Sequence, residues 1–567
     1  MTLRILLAIA ASGVVAALAP PLAAADAVPD VVVTGVQAPA QVLSGHRFSI
    51  DVAVRERSGA AGGIVTATVS SGGVVLATAP VAFDPGGSAS ARVELALTAS
   101  PGPAKVDVTV GASTASATIE VTDFQVYAPG WRGPVIAGHG GQFNQNVYAA
   151  ISRADGVDER NVRTMERSVS ALRPQFSRIF FSQAAFSDPD LMASFVKTVL
   201  FAQRSGATID VTWQGGTLDV KSGTVPKFAD VLIDLVQKRH VTALRWLTIQ
   251  NEPNSTRMTT AQYEAAYRAL DPYIQSIRGQ VRYMGGDLVR GESGATGQRA
   301  WFSYMATHMS DLLDAYSVHI FWDYWDTEKL EERLTEVRQI VDALPEAGRK
   351  PVYVSEYGVR GLRTFQGKPA GDPGVWVDGA PIGETNAGAF QHAWFDILAG
   401  RLGYAGTSKW DLYFGRYDKA TQSYSTVGGP KSGWPRHPLY NLLWLLTATV
   451  KPGWQAVELD AVPETSRLVA SYAGPAGQWT LLGLDRAGGQ LNTPASTLVP
   501  YSIGGLPPST GFRLVLWNET GDGLISAPAP VRTDAAGVAA FSAPQHAVFA
   551  LTTVTGVLWP RSGFPVA

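Results

Sequence analysis

The sequence predicts an α/β protein: a (β/α)8 TIM barrel flanked by an N-terminal immunoglobulin-like β-sandwich and a C-terminal β-sandwich. Three observations predict it. The middle of the chain alternates apolar strand-like runs with amphipathic helical stretches, eight times over. Both flanks instead carry short period-two runs separated by Gly and Ser clusters. Of 567 residues, 46% are apolar and 17% charged, enough for several packed cores and too little charge for a disordered chain.

The elements follow in chain order. Arg4 precedes an apolar run from Ile5 to Ala19, ended by Pro20 and Pro21 and followed by Ala23, Ala24 and Ala25. That order is the one of a secretory signal peptide, so residues 1–27 are expected to direct export, with cleavage near Ala25 or Ala27. The alternative, a membrane anchor, is disfavoured because the run is about 15 residues and a span needs roughly 20. No membrane span is expected further along. Residues 28–123 read as the first sandwich, with alternation such as Phe48-Ser49-Ile50-Asp51-Val52-Ala53-Val54 and Lys105-Val106-Asp107-Val108-Thr109-Val110.

Residues 124–450 read as the barrel. Its strands are expected at Val135–Gly138, Phe176–Phe181, Thr208–Trp213, Leu244–Gln250, Tyr283–Leu288, Tyr316–Phe321, Val352–Glu356 and Lys409–Phe414, each followed by a helix. Asp188 before Pro189 opens the second helix, and Thr259 with Gln262 forms a capping box for the fourth. A doubly wound open sheet is the competing arrangement. Residues 451–567 return to short strands, for example Arg467–Tyr472 and Trp479–Leu482, and read as the second sandwich.

Composition narrows the function. The formal net charge is −2, and no basic run is interleaved with aromatics, so nucleic acid is not an expected partner. The absence of cysteine excludes disulfides, thiolate catalysis and cysteine metal sites. Eight histidines are scattered and none stands in His-Glu-x-x-His, so neither a metal nor a cofactor is expected. The nearest approach to a nucleophile elbow, Gly291-Glu292-Ser293-Gly294-Ala295, lacks the final glycine, which weakens an esterase reading.

Barrel sites lie at the C-terminal ends of the strands. The fourth strand ends Thr248-Ile249-Gln250-Asn251-Glu252-Pro253-Asn254 and the seventh ends Tyr353-Val354-Ser355-Glu356-Tyr357-Gly358. Strands four and seven face one another across the mouth, so Glu252 and Glu356 converge there. Two facing carboxyl groups, one protonated and one ionised, are what glycoside cleavage needs. Asn251 is placed to bind a substrate hydroxyl. Trp213, Trp322, Trp325, Trp376 and Trp410 are candidate sugar-stacking rings, Trp322 and Trp410 foremost because they lie near strand ends. His139 and Asn144, after the first strand beside Gly140 and Gly141, are candidate mouth residues. The long segments 360–385 and 415–436 are expected to carry specificity.

These residues resemble the large clan of retaining (β/α)8 glycosidases that includes cellulases, β-mannanases and β-xylosidases. The resemblance covers roughly residues 124 to 450. It implies that Glu252 is the acid/base and Glu356 the nucleophile. It also implies an arginine on strand two near the nucleophile, matched by Arg178, a histidine on strand six, matched by His319, and a tryptophan on strand eight, matched by Trp410. The His-x-Tyr common on strand six reads His319-Ile320-Phe321 here, so the tyrosine is missing at that place, with Tyr324 nearby. The implied partner is a carbohydrate substrate. Two other readings use the same scaffold: a transglycosidase with the same glutamates, and a non-catalytic carbohydrate-binding or cell-surface protein.

Overall fold

The computed structural model describes residues 29–127, 132–289, 296–324, 326–360, 376–377, 380–417, 425–463, 465–487, 497–518, 524–527 and 529–555. The leader-like residues 1–27, the Ser293 segment, Trp325, the Trp376 side chain and much of the two long loops lie outside them.

Alternation builds the first unit, which extends to Val121. Ile50, Val52 and Val54 are fully buried on Arg47–Glu56, whereas Asp51 and Arg55, on the alternate positions, are exposed. A sheet of Val31–Gln37, Arg47–Glu56 and Ser88–Ala96 shares one apolar core with a five-stranded sheet. The latter runs in the order Gln41–Leu43, Ser113–Thr122, Gly102–Val110, Gly63–Ser71, Val74–Phe83. The pairings of Val31–Gln37 with Arg47–Glu56, Arg47–Glu56 with Ser88–Ala96, Gly63–Ser71 with Val74–Phe83 and Gly102–Val110, and Gly102–Val110 with Ser113–Thr122 are antiparallel, and the two sheets form a sandwich.

The second unit, from Thr122 onward, is organised by a closed parallel barrel. Its strands are β1 (Gly138–Gly141), β2 (Phe176–Ser182), β3 (Thr208–Gln214), β4 (Leu244–Thr248), β5 (Arg282–Leu288), β6 (Ala315–Asp323), β7 (Val352–Arg360) and β8 (Gly406–Lys409). A helix of ten residues or more follows each: α1 (Val162–Leu172), α2 (Pro189–Arg204), α3 (Thr224–Ile233), α4 (Thr260–Leu270), α5 (Gln298–His308), α6 (Thr327–Asp342), α7 (Asn386–Arg401) and α8 (Leu439–Thr449). Local chemistry starts them: the Asp188 carboxylate accepts the N–H groups of Asp190 and Leu191, and Thr259 and Gln262 close a reciprocal box.

Two barrel strands differ from the expected positions. The first is Gly138-His139-Gly140-Gly141, three residues beyond the apolar run that suggested it. A Cβ on Gly140 would sit 1.9 Å from the Phe176 carbonyl oxygen, so close approach to β2, not apolar patterning, selects these residues. The last is Gly406–Lys409, not Lys409–Phe414. It is polar, and two of its buried groups are met: the Thr407 hydroxyl donates to the Asp396 carboxylate (2.7 Å) and Lys409 Nζ to the backbone carbonyl of Trp410 (2.5 Å).

The boundary at 124 also changes meaning. Phe124–Val126 and Arg132–Val135, read as the approach to the barrel, are strands of the C-terminal sandwich. The first pairs with Leu459–Ala461 and Leu498–Gly504, the second with Gln455–Val457. That sandwich and the barrel share one buried apolar cluster, in which Tyr472, Leu482, Trp517 and Val548 join Phe395 of α7 and Leu446 of α8. Gly400 permits the contact, since a Cβ there would lie 1.7 Å from the Tyr472 hydroxyl. Each such buried side chain contributes about 1.5–3 kcal/mol, so the sheet is part of the barrel's stability.

Two truncations test this division. A chain beginning at Thr122 should be soluble and melt in a single transition. A chain ending at Val450 should aggregate, because the α7–α8 face would be stripped of its cover. Size-exclusion chromatography and calorimetry decide it; a monomeric, native-like protein ending at Val450 would refute the shared core.

Candidate active site

The barrel interior is layered. At its base Phe176, Trp246, Met284, Ala315, Tyr353 and Ala405 form an apolar plug. Two residues further along several strands the inward positions turn polar: Arg178 on β2, Asp210 on β3, Thr248 on β4, Ser317 on β6 and Ser355 on β7, joined by Asp287 of β5. All are fully buried. Arg178 is the hub. Its Nη2 donates to Asp287 (2.5 Å) and to Asn251 Oδ1, its Nε to the Thr212 hydroxyl (2.9 Å), and its Nη1 to Glu356 Oε2 (2.7 Å) and Gln142 Oε1 (3.2 Å). Every arm of the guanidinium is used, a geometry lysine cannot supply.

The acids around it diverge. Burial alone would raise Asp287, but Arg178 and His319 outweigh it and hold the carboxyl well below its ordinary range. Hydroxyls of Ser317 and Ser355 also donate to Asp287 Oδ1. Asp210 is pushed up to about 7 by burial and by the charge of Asp287, and Thr248 and Thr212 donate to it. One fixed cation thus ionises the nearer acid and leaves the farther one close to neutral.

Above this layer sit the glutamates. Asn251 and Glu252 follow β4, with the Asn251 N–H on the Trp213 carbonyl (3.1 Å). Gln250 (φ 72°) and Glu252 (φ 49°) are both left-handed, and Pro253 opens a one-turn 3-10 segment, Pro253–Ser255, that ends the strand. Such strained positions cluster at functional sites. Glu356 reaches the same place through an irregularity in β7: the pairing of β6 with β7 shifts between Val318/Val354 and His319/Glu356. Ser355 and Glu356, consecutive in sequence, therefore both face inward. Oxygens of Glu252 and Glu356 and a ring nitrogen of His319 all lie within 4.8 Å of one another.

His319 is the bridge. Its Nδ1 is 3.1 Å from Glu252 Oε1 and 3.8 Å from Glu356 Oε2, and its Nε2 is 3.4 Å from Asp287 Oδ1. Burial opposes the imidazolium, but Glu356 and Asp287 outweigh it and raise the group to about 9. Burial pushes Glu356 up in turn, against the pull of His319 and Arg178. Glu252, His319 and Glu356 have the ligand types a cation would use, but Arg178 is already bonded to Glu356 and the protonated ring lies among the oxygens, so the cluster carries its own positive charges.

On the β8 side, Trp410 is 9% exposed and packs in one cluster with Phe180, Phe321 and Tyr417. Arg178 lies over the Phe180 ring (4.3 Å), which meets Trp410 edge-on (5.9 Å, 63°). Tyr417 stacks on Trp410 (4.8 Å, 16°). The structure thus brings Glu252, Glu356, Asn251, Arg178, His319 and Trp410 to one end of the barrel.

Three candidates lie elsewhere. Trp322 is 1% exposed, stacks on Phe395 of α7 (5.1 Å, 8°), and donates its indole N–H to Gln391 (2.8 Å). Because His319 and Phe321 face inward, the alternation of β6 sends Trp322 outward into the helix layer. His139 also faces α7, with Nδ1 3.0 Å from Thr407 Oγ1 and 3.4 Å from Asp396; the Tyr357 hydroxyl donates to that same Asp396. The later start of β1 put it in the wall instead of the loop. Asn144 is fully buried, and its Oδ1 accepts the Asn146 N–H (2.9 Å), so it builds the β1–α1 turn. Trp213 and Tyr324 are core residues as well. Sequence reasoning missed Asp287, Asp210, Gln142, Asp411 and Tyr417. Gly285-Gly286-Asp287 at the end of a strand was the available signal.

Residues 223–378, which contain Glu252, His319 and Glu356, match the family described as glycosyl hydrolase catalytic core. Solved structures share the fold. A GH30 endoxylanase from Clostridium papyrosolvens C71 is 12% identical over 76% of this chain and 99% of its own, with a TM-score of 0.52. A GH51 arabinofuranosidase from Xanthomonas axonopodis pv. citri is 11% identical over 76% and 98%, with a TM-score of 0.54. A family 51 alpha-L-arabinofuranosidase from Bifidobacterium longum is 13% identical over 76% and 99%, with a TM-score of 0.52. No curated protein matches the chain. The barrel therefore resembles those of glycoside hydrolases in fold, and its matched segment corresponds to their catalytic core.

The hub can be tested through stability. Arg178→Met removes the shorter of the two ion pairs of the buried Asp287 and leaves it with His319 and two hydroxyls, which should destabilise the second unit by about 3–5 kcal/mol in urea titrations. A loss under about 1 kcal/mol would show that the acids do not depend on this cation.

Proposed function

We propose that the protein is a retaining O-glycoside hydrolase that acts on a carbohydrate by double displacement, with Glu356 as nucleophile and Glu252 as acid/base. One observation carries the reading: oxygens of the two carboxyl groups lie within 4.8 Å. Retaining enzymes hold the pair about 5–5.5 Å apart, whereas inverting ones need roughly 6.5–9.5 Å to admit water between carboxyl and sugar.

The surroundings assign the roles. Glu356 is 7% exposed at its side chain and accepts from Arg178, which favours its ionised form. That bond and the imidazolium oppose the burial, which still holds the carboxyl above its ordinary range. Glu252 is 29% exposed at its side chain, open to water and to a leaving group. His319 donates from Nδ1 to Glu252 Oε1, which leaves the other oxygen to carry the proton that is transferred. In the first step Glu356 attacks the anomeric carbon as Glu252 protonates the departing oxygen. The product is a glycosyl ester on Glu356. Glu252, now a carboxylate, takes a proton from water, and that water displaces Glu356 from the same carbon. Two inversions return the original configuration. Arg178 and Asn251 keep the strand-four and strand-seven ends in register throughout.

We further propose that residues 1–27 direct export, on the strength of Arg4, the apolar run to Ala19 and the alanines after it. No helix among the described residues is long and apolar enough to cross a membrane. Intact-mass analysis of protein from the medium should show a start just after Ala25 or Ala27; a full-length chain retained in cells would refute export.

The roles of the glutamates separate by stereochemistry. Either glutamate changed to alanine should lower turnover of unactivated substrates by roughly 10³-fold or more. With azide and an activated aryl glycoside, Glu356→Ala should give the glycosyl azide of inverted configuration, by direct attack in the vacated space. Glu252→Ala should load normally, stall, and give the azide with retention. NMR of the two products checks this; identical configurations would overturn the assignment.

A further inference from the structure

A carboxyl group beside the nucleophile has no part in the double displacement. Asp411 follows Trp410 just past β8 and is 4% exposed. Among the described residues the hydrogen-bond partner of its carboxyl group is the Tyr417 hydroxyl, which donates to Oδ1 at 2.8 Å. Tyr417 in turn accepts from Gln142 Nε2 (3.1 Å), and Gln142 Oε1 accepts from Arg178 Nη1 (3.2 Å), the nitrogen that also donates to Glu356. Three hydrogen bonds therefore tie Asp411 to the arginine that holds the nucleophile. The stack of Tyr417 on Trp410 fixes the same edge from the aromatic side. Nearby Lys409 spends its ammonium on the Trp410 carbonyl. Asp411 Oδ2 is left with no hydrogen-bond partner among the described residues.

Resting on the glycosidase reading, we propose that Asp411 is a specificity residue of this site. Its second carboxyl oxygen binds a hydroxyl of the sugar unit whose anomeric carbon meets Glu356, and Tyr417 and Gln142 position it. The chemistry selects the ligand class. A hydroxyl both donates and accepts, so it satisfies a buried carboxyl in either protonation state. A sugar carboxylate does not: it would meet Asp411, Glu356 and Glu252 together. The site therefore takes a neutral sugar and rejects the corresponding uronic acid. Burial pushes the Asp411 carboxyl up against the pull of the Tyr417 hydroxyl and Lys409, and the Glu356 charge adds to the rise, which is consistent with its closeness to the nucleophile.

The test is a coupling between residue and hydroxyl. The probes are the para-nitrophenyl glycosides of glucose, galactose, xylose and arabinose. On the one that the full-length protein cleaves fastest, its monodeoxy analogues and its uronide are then compared. For the wild type, one deoxy analogue should lose about 10–100-fold in kcat/KM, the worth of a hydrogen bond to a carboxylate, and the uronide should be cleaved at least as poorly. Asp411→Ala should lose a similar factor on the parent sugar and almost nothing further on that one analogue. Tyr417→Phe, which keeps the ring stack, should weaken the same discrimination by about 3–10-fold, so the reading survives if Asp411→Ala fails to fold. Turnover that requires Glu356, with Asp411→Ala lowering the parent and every analogue equally, would overturn the specificity role while leaving the glycosidase reading intact. Turnover on no probe that is lost in Glu356→Ala would overturn both.

Discussion

The interaction on which the rest of the site depends is the burial of the Arg178 guanidinium inside the barrel. A cation out of water is stable only when its donors are met, and here five acceptors meet them: Asp287, Glu356, Asn251, Gln142 and Thr212. The dependence runs both ways. Asp287 stays ionised because Arg178 is beside it, His319 is protonated because Glu356 and Asp287 face it, and Glu356 accepts from Arg178 with one oxygen. Charge at the mouth is thus set one layer below it, by a group that bonds residues on or just after five other strands, β1, β3, β4, β5 and β7.

That layer needs a floor and a frame. The apolar plug at the base keeps water away from the buried charges, which strengthens each pairing. The frame is a barrel closed by a glycine-rich first strand and a polar last one, whose short side chains allow β1 to sit against β2 and β8. The irregularity at Ser355 and Glu356 then does what a regular strand cannot. It turns two consecutive residues inward, one to bond Asp287 and the other to reach the mouth.

The outer face of the barrel explains the candidates that moved. Between β6, β7 and α7 lies a packed sheet of rings, Trp322, Phe395 and Tyr357, with His139, Thr407 and Asp396 bonded beside them. Helix α7 is buried along nearly its whole length, since the C-terminal sandwich covers its other side. A tryptophan or histidine near a strand end therefore had two destinations, a sugar-facing mouth or this interior seam, and composition does not tell them apart.

What the sequence determined by itself follows from short-range periodicity. Eight alternations of strand and helix specify a barrel, period-two runs specify the flanking sheets, and Asn251-Glu252 and Glu356 at the ends of apolar strands point to a pair of facing carboxyl groups. What the tertiary structure decided was side-chain direction and partnership. Asp287, Asp210, Gln142 and Tyr417 belong to the site because strands distant in sequence close around Arg178. Trp322 leaves it because successive residues of a strand point to opposite faces, and His139 because β1 starts three residues later than its apolar run. Register, irregularities and the start of each strand are set when the barrel closes, by contacts between residues far apart along the chain, and no local pattern carries that information.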